Sequence, residues 1–111
     1  MRFILTCTLG HDVETKRLAL RLSHLEYVSK NRQTIVFGGP SLSPTGAPET
    51  MTLVIEAADL AAADRFIRAE PYTANKVFSE VQIRRWAQVM PEPHPGALDE
   101  EITREAAKAT S

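Results

Sequence analysis

The order of strands and helices turns on residues 34–56, Thr34-Ile35-Val36-Phe37-Gly38-Gly39-Pro40-Ser41-Leu42-Ser43-Pro44-Thr45-Gly46-Ala47-Pro48-Glu49-Thr50-Met51-Thr52-Leu53-Val54-Ile55-Glu56. The run Thr34–Phe37 is rich in β-branched and aromatic side chains, and Gly38-Gly39-Pro40 marks a strand that breaks into a loop. Ser41, Ser43, Pro44, Thr45, Gly46 and Pro48 carry the loop onward. Met51–Glu56 then alternates as a strand with one buried face. Two strands joined by one loop are natural antiparallel neighbours.

Upstream, Val13–Asn31 changes period. Leu18, Leu22, Leu25 and Ser29 fall at i, i+4, i+7 and i+11, and Leu20 and Val28 widen the stripe, which predicts an amphipathic helix of about five turns. Asp12 is the expected N-cap, with Glu14 and Thr15 in the first turn and Lys30 and Arg32 at the far end, where the helix dipole favours cations. Ahead of it, residues 2–9 form an apolar, β-branched strand ending at Gly10, continuous enough to be covered on both faces. Downstream, Asp59 caps a second helix whose stripe is Leu60, Ala63, Phe66 and Ile67, stopping before Pro71. Ala69-Glu70-Pro71-Tyr72 reads as a turn, with one helical turn expected at Ala74–Val77 and a last strand at Phe78–Trp86. The order is β-α-β-β-α-β, an α+β, ferredoxin-like unit in which two helices cover one face of a four-stranded antiparallel sheet. The other face then needs cover, which predicts a homodimer with two sheets packed face to face. The domain is expected over residues 1–90. Residues 91–111 form a tail led by Pro91-Glu92-Pro93-His94-Pro95-Gly96, which cannot enter a sheet interior. In that tail Leu98, Ile102, Glu105 and Ala109 stand near helical spacing, in a segment too short and polar to be stable alone, so it frays or docks on the partner subunit.

Composition narrows the function classes. The 111 residues are 43% hydrophobic and 24% charged, with 13 Lys+Arg against 14 Asp+Glu and a net charge of -1. That suits one small globular domain and lacks the basic footprint for nucleic acid or an anionic membrane. No apolar run approaches the roughly 18 residues of a membrane span, the apolar stretch of residues 1–9 is shorter than a signal peptide is expected to carry, and there is no internal repeat. The single cysteine, Cys7, has no disulfide partner and fits a reducing cytoplasm.

Few side chains suggest chemistry. On a helical wheel His24 falls about 100° from the centre of the leucine stripe, at the border between core and solvent. There it is either a border histidine satisfied by a neighbouring turn or a general acid or base held by a carboxylate. Arg17 and Arg21, on the preceding turns, favour an anionic ligand beside it, or are ordinary solvated arginines. Glu70 precedes Pro71, whose ring restricts it to an extended conformation, so its carboxylate is presented from a fixed turn. A histidine in hydrogen-bond reach of that carboxylate would have a fixed tautomer, as proton abstraction from a carbon acid or phenol requires. The plain alternative is a solvated acid. Gly38-Gly39-Pro40-Ser41 could bring N–H groups and the Ser41 hydroxyl to a ligand oxyanion, or simply end a strand. Tyr72 packs or lines a pocket, and Cys7 is a small core residue rather than a nucleophile. His11, His24 and His94 lack metal-ligand spacing, and neither metal nor cofactor is expected.

Arg21-Leu22-Ser23-His24-Leu25, Ile35-Val36-Phe37-Gly38-Gly39-Pro40, the third-strand run, Ala61-Ala62-Ala63-Asp64-Arg65-Phe66 and Glu70-Pro71-Tyr72, in that order, resemble the YciI-like (YCII-related) proteins over about residues 1–88. The resemblance implies a dimeric α+β barrel, a small homodimer, and a His-Asp active-site pair, with relatives that act in aromatic-compound breakdown, including a dehydrochlorinase-type activity. By position His24 matches the family histidine. Glu70 stands where the family turn has Asp, one methylene shorter. Two functions follow. One is a cofactor-independent lyase, isomerase or dehydrochlorinase in which His24 and Glu70 move a proton on a small cyclic or aromatic substrate, with Arg17, Arg21, Gly39, Ser41 and Tyr72 binding it. The other is a non-catalytic dimeric small-molecule binding or accessory protein.

Overall fold

The computed structural model of the chain describes residues 1–109, so the last two residues of the expected tail lie outside the described residues. Eight elements follow in order: β1 (Arg2–Leu9), α1 (Glu14–Lys30), β2 (Ile35–Leu42), β3 (Pro48–Glu56), α2 (Leu60–Arg68), α3 (Pro71–Ala74), β4 (Phe78–Arg85) and α4 (Ala97–Ala109). The strands form one antiparallel sheet in the order β2-β3-β1-β4. This is the ferredoxin-like α+β arrangement that the element order predicts. Among the described residues, no helix is long and apolar enough to cross a membrane.

The β1–β3 register sets Phe3, Leu5 and Cys7 opposite Ile55, Leu53 and Met51. Side chains of a strand alternate between faces, so these six share one face. They bury against Ala63 and Ile67 of α2, Tyr72 of α3 and Val77. Each large apolar side chain sequestered this way contributes roughly 1.5–3 kcal/mol. On the opposite face lie Ile4, Thr6, Thr8, Thr50, Thr52 and Val54. Phe37, opposite Val54 in the β2–β3 register, meets Trp86 edge-on at 5.9 Å, and Val54 is fully buried. The face expected to be broadly apolar is thus threonine-rich, with a small apolar cluster at one end.

Several local expectations are corrected. β2 does not break at Gly38-Gly39-Pro40 but continues to Leu42. As an edge strand it tolerates Pro40, and Gly38 is what allows its approach: a Cβ there would lie 2.3 Å from Leu53 Cδ2 and 2.8 Å from the Thr52 carbonyl oxygen. Asp12 is not the cap of α1. It has φ 55, Val13 holds the cap position, and no side chain closes it. Asp59 does cap α2, accepting from the Ala62 N–H at 2.8 Å. The short helical turn begins at Pro71 rather than Ala74, because Glu70 caps it and Pro71 is already shaped for its first position.

The largest correction concerns α1. Leu18, Leu22 and Leu25, expected to be buried, are 56%, 69% and 45% exposed. The inward face carries Val13, Arg17, Leu20, His24, Tyr27 and Val28 instead. The helix is turned by roughly a third of a turn from the orientation that buries its leucines. Three polar anchors hold it there: Lys16 Nζ donates to the Asn75 carbonyl at 3.0 Å, His24 meets Glu70, and the Tyr27 hydroxyl donates to the Phe66 carbonyl at 2.7 Å. α4 is helical, as the tail spacing suggested, and its side chains are largely exposed.

Candidate functional site

The site begins with a carboxylate that folding cannot leave unpaired. Glu70 is 0% exposed, and burying such a group is costly unless its lone pairs are met. Its backbone is extended at φ -66 and ψ 131, held so by the following proline, which puts the side chain over the start of α3. There Oε2 accepts from the Tyr72 N–H at 3.0 Å and the Thr73 N–H at 3.3 Å. Oε1 lies 2.6 Å from His24 Nδ1. One oxygen is thus used by the backbone and the other by the imidazole.

His24 is held on two further sides. Its ring stacks on Tyr72 with centroids 4.2 Å apart and planes 13° from parallel, and Tyr72 in turn meets Phe78 edge-on at 5.9 Å. With Nδ1 turned to a carboxylate, the proton belongs on Nδ1 and the lone pair on Nε2. Nε2 has no protein partner among the described residues. The ring borders a cavity of about 280 Å³ between α1 and the sheet. The far wall is apolar, made by Leu9, Met51, Leu53 and Phe78, and β2 supplies Gly38, Gly39 and Pro40 along one rim.

Arg17 and Arg21 line the α1 side of the same cavity. Arg17 is engaged: its Nε and Nη2 donate to the two oxygens of Glu14 at 3.0 and 2.7 Å, which raises the guanidinium pKa further. It also stands by the Tyr72 hydroxyl. Burial pushes that phenol upward, while Arg17 and then Arg21 pull it back. Arg21 makes no ion pair among the described residues, so its charge is available to a ligand.

His24, Glu70, Arg17, Arg21, Gly39 and Tyr72 are therefore brought to one place, with Glu70 behind His24. Ser41 is not brought to the cavity; its hydroxyl lies 2.6 Å from that of Thr50. Cys7 is buried, and desolvation together with the nearby Glu70 charge pushes its thiol up to about 12, which leaves almost no thiolate at neutral pH. His94 lies in the tail, 3.1 Å from Glu100 Oε2. Among the described residues no three His, Cys, Asp or Glu side chains gather as a metal site. Sequence reasoning missed Tyr27 as an anchor, although it stands three residues after His24, on the same side of the helix. It read one buried face in Met51–Glu56 without separating core from cavity wall, and Met51 and Leu53 of that face line the cavity.

Comparison with known proteins agrees with this geometry at the level of fold. One solved structure, the 5-chloro-2-hydroxyhydroquinone dehydrochlorinase (TftG) of Burkholderia phenoliruptrix AC1100 in complex with 2,5-dihydroxybenzoquinone, is 22% identical, with a TM-score of 0.73 over 79% of this chain and 95% of its own. A protein of Shewanella oneidensis, SO0527, is 15% identical, with a TM-score of 0.46 over 78% of this chain and 88% of its own. A conserved protein of Methanosarcina mazei Go1 is 18% identical, with a TM-score of 0.44 over 78% and 91%. No functionally curated protein matches the chain. The sequence profile of the YCII-related domain matches residues 1–87, which takes in every strand, α1 to α3, His24 and Glu70, and the chain therefore belongs to the YCII-related family.

Proposed function

We propose that the chain is a small cytoplasmic, homodimeric enzyme that works without a cofactor, in which His24, oriented by Glu70, moves a proton on a small cyclic or aromatic substrate during elimination, isomerisation or dehydrohalogenation. The observation that carries it is the 2.6 Å contact between His24 Nδ1 and the wholly buried Glu70. It leaves Nε2 as the base on the cavity side. Glu70 is the positioning carboxylate: held by two backbone N–H groups, it fixes the ring's tautomer and angle. A flat substrate lies against the apolar wall of Leu9, Met51 and Leu53, its hydroxyl or activated carbon near Nε2. As Nε2 takes the proton, negative charge grows on the substrate, and Arg21 with the Tyr72 hydroxyl faces that charge. In dehydrohalogenation the electron pair released by deprotonation expels halide, and the histidine later returns its proton to water. No oxidant or reductant enters the balance.

The named compounds of the fold relative supply the test. Wild type and His24→Ala are assayed for chloride release from 5-chloro-2-hydroxyhydroquinone, and binding of 2,5-dihydroxybenzoquinone is followed by calorimetry. The expected result is turnover that falls about 10²–10⁴-fold in the variant, which still folds but melts lower than wild type because Glu70 Oε1 loses its partner. Turnover equal in the two proteins overturns His24 as the base. The second function, binding without turnover, is favoured by Glu70 standing where the family turn carries Asp. Quinone binding by a wild type that releases no chloride supports it.

A further inference from the structure

We infer that α4 of one copy docks on the exposed leucine stripe of α1 in a second copy, so that the cavity mouth of each protomer is covered by its partner's C-terminal helix. This rests on the homodimer proposed above and adds its contact.

Leu18, Leu22 and Leu25 form an apolar row about 10 Å long that nothing in the protomer covers. α4 has a matching row, Leu98, Ile102, Ala106 and Ala109, about 16 Å long, in which Ile102 is 57% exposed. Neither helix buries a residue fully. Their charges are complementary. α1 holds Lys16, Arg17, Arg21 and Lys30 against Glu14 and Glu26, a net charge of +2, whereas α4 holds Asp99, Glu100, Glu101 and Glu105 against Arg104 and Lys108, a net charge of -2. Arg21, one turn from both Leu18 and Leu25, is the cation best placed to meet the acidic flank of Leu98 and Ile102.

The chain path favours a second copy over the same one. Trp86, where the chain leaves the sheet, packs on Phe37 on the face opposite the helices. From there the connection is tied down: Trp86 Nε1 donates to Gln88 at 2.6 Å, Gln88 Nε2 to the Pro91 carbonyl at 3.1 Å, and the Leu98 N–H to Glu92 at 3.1 Å. To reach its own α1, α4 would have to abandon these bonds and cross both the sheet and helix layers, about 10 Å each. The bonds hold α4 off its own α1, and in a two-fold pair the exchange is reciprocal. The helix also lies beyond the family match, which ends at residue 87. Because Leu25 and Arg21 border both the stripe and the cavity, a helix seated there closes the mouth.

The test mixes two full-length single variants, Leu22→Cys and a mass-tagged Ile102→Cys, under mild oxidation, with light scattering on wild type. Both sites are exposed and Cys7 is buried, so the fold is kept and the native thiol is silent. The expected product is a mixed disulfide between the two variants, at least five-fold in excess of either self-linked dimer. Self-linked Leu22→Cys dimers in excess mean α1 pairs with α1 and overturn the contact, and so does an internal disulfide that forms in a double variant. A wild type that scatters as a dimer but yields no mixed disulfide refutes the docking and spares the homodimer. A monomer refutes both.

Discussion

Two substitutions at Glu70 part its structural role from its role on the imidazole. In Glu70→Gln the side-chain shape is kept. The amide oxygen takes over the Tyr72 and Thr73 N–H groups, so the NH₂ faces His24 Nδ1, which must now accept. The imidazole proton is driven to Nε2, and the atom that bore the lone pair becomes a donor. Stability falls little, because one charge-assisted bond becomes neutral while the cap survives: about 1 kcal/mol, or roughly 4–8 °C in Tm for a domain of this size. In Glu70→Ala the cap is lost, worth about 1 kcal/mol, and the Tyr72 N–H and His24 Nδ1 are left unpaired at about 1–3 kcal/mol each. The sum is about 3–7 kcal/mol, or a Tm lower by at least 12 °C. Thermal melts measure the stability arm, and ¹⁵N NMR of the imidazole measures the tautomer. The expected outcome is Glu70→Gln with near-native Tm, an Nε2–H tautomer and no turnover. A Gln variant that keeps the Nδ1–H tautomer, or loses as much stability as Ala, would refute the division of labour between the two carboxylate oxygens.

Gly38→Ala places a methyl 2.3 Å from Leu53 Cδ2 and 2.8 Å from the Thr52 carbonyl; it should lower Tm by 10 °C or more, whereas Gly39→Ala, with nothing within 4 Å, should melt as wild type and weaken quinone binding from the cavity rim. Cys7, pushed from 9.0 to about 12, should react with a thiol reagent at pH 8 only as fast as the domain unfolds. Its raised folded pKa gives stability that is whole below pH 9 and declines from there towards pH 12, which urea midpoints across that range would follow; fast native-state labelling refutes this. Ile67→Ala, at a position 1% exposed in the core, should cost about 2–5 kcal/mol by chemical denaturation. Arg21→Ala should leave Tm unchanged and weaken binding of anionic quinones more than neutral ones by calorimetry.

The element order was legible because the two helices and four strands differ in period. β1 was read at its observed bounds, and Asp59 caps α2 as its side chain suggests. The turn carboxylate was legible too, since Pro71 restricts Glu70 whatever surrounds it. The rotation of α1 was not. Apolar spacing points to the leucines, yet the orientation is set by Lys16, His24 and Tyr27, whose partners lie 39 to 59 residues away. Such anchors leave no periodic trace. For the same reason His24, placed by spacing at the border of the helix, stands on its inward face. β2 was cut short because Gly-Gly-Pro signals a break, while the need for Gly38 is steric and depends on Leu53 across the sheet. Ser41 was credited to the site on sequence adjacency, and the strand carries it on to Thr50 instead.

The attachment of α1 also bears on how the protein moves. The strands and α2 are joined by interdigitated side chains, and separating them exposes apolar surface. α1 buries no residue fully and is joined by three side-chain hydrogen bonds along one face, with Leu20 only partly buried against the core and the His24 and Tyr27 rings on Tyr72 and Phe66. Water can replace such bonds at modest net cost. The helix therefore behaves as a tethered flap over a rigid floor, able to lift while the sheet stays intact. Amides of α1 should exchange with solvent faster than those of β1 and β3. The volume beneath it is then adjustable, and substrates of different girth enter one scaffold, at the expense of the contact that aims the imidazole.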